Sequence, residues 1–151
     1  MMLIKEIAVY VNILNSRIKK YFIDKLQENK INITPEQFLV LDILWEKQPL
    51  SQQNIADIIQ KDKNSVTKII DSLEKKQMAR RVMDQNDRRV NKIELTDKAL
   101  ALEEKVTKVA IDFMNDAIKN IDKQDLDNFV NVMRQIKENL EGEKLTKKLI
   151  L

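Results

Sequence analysis

Between Leu50 and Leu95 the chain sets two short amphipathic helices directly before two short strands, and few folds accept that order. "LSQQNIADIIQKDKNSVTKIIDSLEKKQ" divides into two helical stretches. Ser51 is placed to cap the first, with Ile55, Ala56, Ile58 and Ile59 toward a core. Asp62 is placed to cap the second, whose apolar stripe is Val66, Ile69, Ile70 and Leu73. "MARRV" and "NKIEL" then read as strands. Between them lie Asp84, Asn86 and Asp87, residues that favour turns, and two arginines, Arg88 and Arg89, at the tip or just past it.

The flanks read as longer helices. Over residues 3–26, Ile4, Ile7, Val11, Leu14, Ile18 and Tyr21 alternate steps of three and four, as in a coiled-coil seam. Leu3, Ala8, Phe22 and Leu26 widen that stripe enough for more than one packing partner. "NITPEQFLVLDILWEKQ" carries a start signal: Thr34 as N-cap, Pro35 as first helical residue, and Gln37 completing a capping box. Phe38, Leu41, Ile43, Leu44 and Trp45 are its apolar positions, and Pro49 breaks it. Thr96 caps a predicted helix bearing Leu102, Val106, Val109, Phe113, Ala117 and Ile121. Asp122 caps the last, bearing Leu126, Phe129, Met133, Ile136 and Leu140, with Gly142 as its predicted C-cap. "KLTKKLIL" is an amphipathic tail. One glycine and two prolines in 151 residues agree with a mostly helical chain. The expected architecture is mostly α with a small β-wing: one domain over residues 1–151, about six helices, and a two- or three-stranded sheet. A winged helix–turn–helix lobe at 34–97 sits in a dimerisation frame of helices at 1–30 and 100–151.

Composition narrows the function. There is no cysteine and no histidine. That removes thiolate nucleophiles, thiol redox sensing, the commonest general base and the usual transition-metal ligands. We expect no catalytic residues, no metal and no cofactor, so not an enzyme. No apolar run approaches the roughly 20 residues that span a membrane. The N-terminus lacks the pattern of a signal peptide, and the expected compartment is the cytoplasm. Net charge is +3, but residues 61–92 hold ten Lys/Arg against five Asp/Glu. A basic segment on a near-neutral body suggests a polyanion site.

On the second short helix, Asn64, Lys68, Asp71 and Lys75 fall opposite the apolar stripe, with Thr67 and Ser72 on the flanks. In a helix–turn–helix this helix enters the major groove. Lys63, Asn64, Ser65, Thr67 and Lys68 are therefore the candidate contacts: Asn64 to adenine, Lys68 to guanine or phosphate, Ser65 and Thr67 to bases or backbone. The amides at its start favour phosphate oxygens, whereas Asp71 is expected to repel the DNA backbone. On the ribbon, Arg88 and Arg89 suit a narrow minor groove, with Asp84 and Asp87 close enough to pair with one of them and aim it. Arg80, Arg81 and Lys92 are expected to line the strands and meet phosphates. Each feature alone is also what a wet helix face or a surface salt bridge presents; their combination favours double-stranded DNA. The competing assignment is a helical interaction or adaptor protein whose basic ribbon binds an acidic partner.

"TPEQFLVLDIL", "SQQNIADII", "KNSVTKIIDSLEKK" and "RRVMDQNDRRVNKIELTDKA" together resemble the MarR (multiple antibiotic resistance regulator) transcription factors. The wing is similar to the family's aspartate-x-arginine-aspartate-x-arginine signature at Asp84, Asn86, Asp87 and Arg89. The resemblance implies a homodimeric, ligand-responsive repressor on a pseudo-palindromic operator. It also implies a small, often aromatic or anionic effector in the cleft between frame and DNA-binding lobe. Tyr10, Arg17, Tyr21, Phe38 and Trp45 are the candidate pocket residues, although aromatics on apolar helix faces usually belong to the core. Three positions depart from the pattern. Asn86 stands for an arginine, and Gln77 and Ala99 stand for glycines. Gln77 must either adopt a left-handed backbone or change the helix end.

Overall fold

The computed structural model describes the backbone of residues 2–149 and the side chains of residues 2–141. In chain order the elements are α1 (Met2–Glu28), α2 (Pro35–Glu46), β1 (Leu50–Ser51), α3 (Gln52–Ile59), α4 (Lys63–Lys75), β2 (Ala79–Met83), β3 (Asn91–Leu95), α5 (Asp97–Leu100), α6 (Glu103–Ile118) and α7 (Lys123–Leu149). They form two compact units, Met1–Met114 and Asn115–Leu151. The second consists of the end of α6 and all of α7.

Helix starts follow local chemistry. Thr34 Oγ1 accepts from the Gln37 amide at 3.1 Å, and Gln37 Oε1 accepts from the Thr34 amide at 3.0 Å, completing the capping box. Ser51 Oγ accepts from Asn54 N–H at 3.0 Å, and Asp62 Oδ1 from Ser65 N–H at 2.9 Å. Thr96 caps α5. A Ser or Thr cap of this kind stabilises its helix by about 1 kcal/mol. Helix ends are less conventional. Lys30, Gln60, Gln77 and Asn120 all have left-handed backbones, with φ between 55° and 61°, where most helices use glycine. At two of these ends the chain closes by paired bonds across the turn: Ile31 N–H to Leu26 O with Lys30 N–H to Gln27 O, and Met78 N–H to Leu73 O with Gln77 N–H to Glu74 O. Ile31, Leu26, Met78 and Leu73 are all buried, the apolar contact that accompanies this motif. Gln77 therefore takes the left-handed option. Gly142 ends no helix; α7 continues through it to Leu149.

β2 and β3 pair antiparallel in the register Ala79↔Leu95, Arg81↔Ile93 and Met83↔Asn91. β1 pairs with the other edge of β3, giving the order β1-β3-β2. β1 holds only two residues, too few for a period-two pattern. The helix expected to run from Thr96 to Ile121 is divided into α5 and α6, and Ile121 lies beyond the end of α6.

The core of the first unit gathers Phe22 and Leu26 of α1, Val40, Leu41 and Leu44 of α2, Ile55 of α3, Val66, Ile70 and Leu73 of α4, Ile93 and Leu95 of β3, and Val106, Val109 and Phe113 of α6. Burying each such side chain stabilises the fold by roughly 1.5–3 kcal/mol. Ile58 was expected inside but is exposed; at about 100° per residue it falls well off the face shared by Ile55, Ala56 and Ile59. The rings of Phe22 and Phe38 meet edge-on at 5.1 Å, and Phe22 and Phe113 at 5.4 Å, joining α1, α2 and α6. Gln37, 3% exposed, is the buried polar residue of this core. Its Nε2 donates to Ser72 Oγ at 2.6 Å and its Oε1 accepts from Lys76 Nζ at 2.9 Å, so the capping residue of α2 also fastens the C-terminal half of α4.

Candidate nucleic-acid interface

Asn64, Lys68, Asp71 and Lys75 are exposed on one side of α4, with Val66, Ile70 and Leu73 buried on the other, and Lys63 is exposed at its first position. Two of the five candidate contacts on this helix are engaged internally. Ser65 Oγ donates to Asp62 Oδ2 at 2.6 Å. Thr67 Oγ1 donates to Lys63 O at 2.9 Å and accepts from Gln52 Nε2 at 3.0 Å. The Asp62 carboxylate occupies the amide end of the helix. Ser65's hydroxyl and backbone hold its pKa below the ordinary range, so an anion there meets a negative cap rather than bare amides. Lys63, Asn64 and Lys68 remain open.

The wing loop, residues 84–90, is shaped by its aspartates. Asp84 Oδ1 accepts from Asn86 N–H at 3.1 Å, and Asp87 Oδ1 from Arg89 N–H at 3.0 Å, two successive side-chain-to-backbone turns. Asp84 N–H donates to Val90 O and Val90 N–H to Asp87 O, both at 3.0 Å, closing the loop. Asn86 contributes its backbone N–H to this geometry, which any residue other than proline supplies. Asp87 also accepts from Arg89 Nε at 3.3 Å, leaving both terminal guanidinium nitrogens open. Asp84 pairs with Lys92 at 3.5 Å rather than with an arginine. Arg88 is exposed and has no ion pair among the described residues.

The strand arginines are used differently from expectation. Arg80 pairs across the ladder with Glu94 at 3.1 Å and stays largely exposed. Arg81 does not line an outer face. Its guanidinium is held by Asp71 at 2.7 Å, by Glu74, and by Gln52 Oε1 at 3.1 Å. Asp71, expected to repel an approaching polyanion, thus carries its own counter-charge. Glu74 and Gln52 were not singled out in the sequence; the available signal was the spacing of Asp71 and Glu74, one helical turn apart on α4.

The aromatic candidates separate as well. An apolar cavity of about 290 Å³ in the first unit is lined by residues including Ile18, Lys19, Phe22, Phe38, Phe113 and Met114. Phe38 reaches it; Tyr10, Arg17, Tyr21 and Trp45 do not line it. Trp45 Nε1 donates to Ala99 O at 3.1 Å, a structural bond. Tyr21 lies against Phe113 at 5.7 Å, and Tyr10 is exposed on α1. No group of metal-ligating side chains and no helix long and apolar enough to cross a membrane occurs among the described residues.

Residues 33–90, spanning the helix–turn–helix and most of the wing, match the MarR family profile. Over these residues the chain is similar to the MarR family. The transcriptional regulator MgrA of Staphylococcus aureus is 30% identical over 83 residues, 55% of this chain and 56% of that protein. The chain thus spans about half the length of the curated relatives it matches. Among solved structures, a mutant MarR of E. coli complexed with operator DNA superposes with a TM-score of 0.81 at 19% identity, covering 88% of this chain and 94% of that one. A MepR–DNA complex of S. aureus gives 0.79 at 22%, covering 87% and 96%. At such identities these two show the winged-helix fold alone.

Proposed function

We propose that the protein is a sequence-specific, double-stranded-DNA-binding transcriptional regulator that acts as a homodimer. The observation that carries this reading is one lobe presenting Lys63, Asn64 and Lys68 from the first two turns of α4 and Arg88 and Arg89 on the wing tip. The helix suits the major groove, and a guanidinium aimed by Asp87 suits the minor groove beside it. Relatives of this fold have been solved on DNA, which supports the same use here.

Dimerisation is inferred from apolar side chains left open on each unit. Ile4, Ile7, Val11 and Leu14 are exposed along α1, and Phe129, Met133 and Leu140 along α7. Continuous apolar stripes of this kind mark association surfaces. Two copies would place two lobes on a pseudo-palindromic operator with half-sites about one helical turn apart. We further propose repression relieved by a small aromatic or anionic effector, for which the cavity beside Phe38 and Lys19 is the candidate site.

The test is selection of bound duplexes from a random pool, followed by light scattering and anisotropy on the enriched sequence. A dimer that prefers one inverted repeat, with binding that weakens steeply in salt, is expected. A monomer, or equal affinity for scrambled duplexes, overturns the reading.

A further inference from the structure

Arg81 is turned into the fold. Its side chain is 22% exposed, against 91% for Arg89. Nη2 donates to Asp71 Oδ1, Nη1 to Glu74 Oε2, and Nε to Gln52 Oε1. The Arg81 backbone N–H donates to Glu74 Oε1 at 3.0 Å, so one carboxylate grips both main chain and side chain. Gln52 carries the connection onward through Thr67 Oγ1 to Lys63 O. A single run of polar contacts therefore links β2 to the start and the later turns of α4, by way of α3. A planar, five-donor guanidinium is the side chain able to span three such acceptors. Asp71 shares the exposed face of Asn64 and Lys68, where an uncompensated carboxylate would confront phosphates.

The geometry points to Arg81 as a positioning residue: it holds wing and α4 as one rigid body and cancels the charge of Asp71 and Glu74, without touching DNA. This assignment rests on the DNA-binding reading above. It extends that reading by making a residue outside the contact surface decide how two contact surfaces act together.

Two measurements test it. The first needs no DNA. Amide hydrogen exchange of the free, full-length protein should speed up along the β2–β3 ladder in Arg81→Gln while the α2 core stays protected; unchanged exchange overturns the clamp. The second is a double-mutant cycle on the selected duplex, comparing wild type, Arg81→Gln, Asp71→Asn with Glu74→Gln, and the triple variant. Arg81→Gln should weaken binding on the order of tenfold. Neutralising the carboxylates should restore much of that loss in the Arg81→Gln background and give no gain in the wild type, where it dissolves the clamp. An equal gain in both backgrounds, as expected for an arginine that contacts phosphate directly, overturns the assignment. If Arg81→Gln does not fold by circular dichroism, Arg81→Lys replaces it in both measurements, since lysine keeps the charge but cannot span the three acceptors. A wild type that prefers no duplex sinks the DNA-binding reading, while the exchange experiment still decides the clamp.

Discussion

Arg81 at the base of the hairpin and Arg89 at its tip are the same residue type on the same ribbon, and their environments are opposite. Arg81 faces α4 and is surrounded by Asp71, Glu74 and Gln52. Arg89 projects into solvent, steered by the single carboxylate of Asp87. A count of basic residues treats them alike. The difference arises because β2 begins directly after α4 and Arg81 meets the acidic side of that helix, whereas the loop at 84–90 closes on itself and Arg89 meets only Asp87 of that loop. The lesson is that a positive segment need not be a positive surface: part of its charge serves the fold.

The largest effect that would sharpen this contrast lies at the tip. Arg89→Ala should weaken operator binding by about 1–3 kcal/mol while leaving stability within about 0.5 kcal/mol. Anisotropy and thermal melts report the two quantities separately, and a lower melting point with intact affinity would reverse the roles assigned here. Arg81→Ala should show the stability loss that Arg89→Ala lacks, about 1–2 kcal/mol by urea titration, because it strands two half-exposed carboxylates. Equal stability of the two variants would erase the distinction.

The joint between α4 and β2 offers a smaller, opposite effect. Gln77 holds φ at 58°, and Gln77→Gly should raise stability by about 0.5–1 kcal/mol, since glycine accepts that conformation without strain. A destabilised variant would show that the Gln77 side chain contributes to the joint. Smaller still, Asn86→Ala should leave the wing turn unchanged, because Asn86 serves it through its backbone N–H; wing amide chemical shifts would reveal any rearrangement. Finally, the Asp62 carboxyl titrates below its ordinary range because it caps Ser65. Its stabilisation is therefore present above the unfolded pKa and lost as pH falls through the lowered folded value. Fraying of the first turn of α4 in acid, followed by the exchange of its amides, should disappear in Asp62→Asn, since asparagine caps without titrating.

Most of the helical framework was legible because its causes are local. Thr34, Ser51, Asp62 and Thr96 each reach an amide three residues ahead, and the stripe of α4 follows from helical spacing alone. The open face of Asn64, Lys68 and Lys75 was legible for the same reason. The aspartate turns of the wing were only half legible: Asp87 pairs with an arginine as anticipated, but Asp84 pairs with Lys92. That choice depends on which side of β3 the lysine leaves from, and strand register sets it.

By itself, then, the amino-acid order determined where the capped helices start, most of their apolar faces, and that a short ribbon follows a helix pair. Those outcomes depend on interactions within about one helical turn or one hairpin, where neighbours in sequence are neighbours in space. Tertiary structure alone decided that Leu50 and Ser51 add a strand beside β3 and that Trp45 hydrogen-bonds the Ala99 carbonyl. It also decided that Gln37 meets Lys76 and that Arg81 turns inward to α3 and α4. Each of these joins groups far apart along the chain, and long charged side chains have enough reach and rotamers that only the packed fold selects the partner.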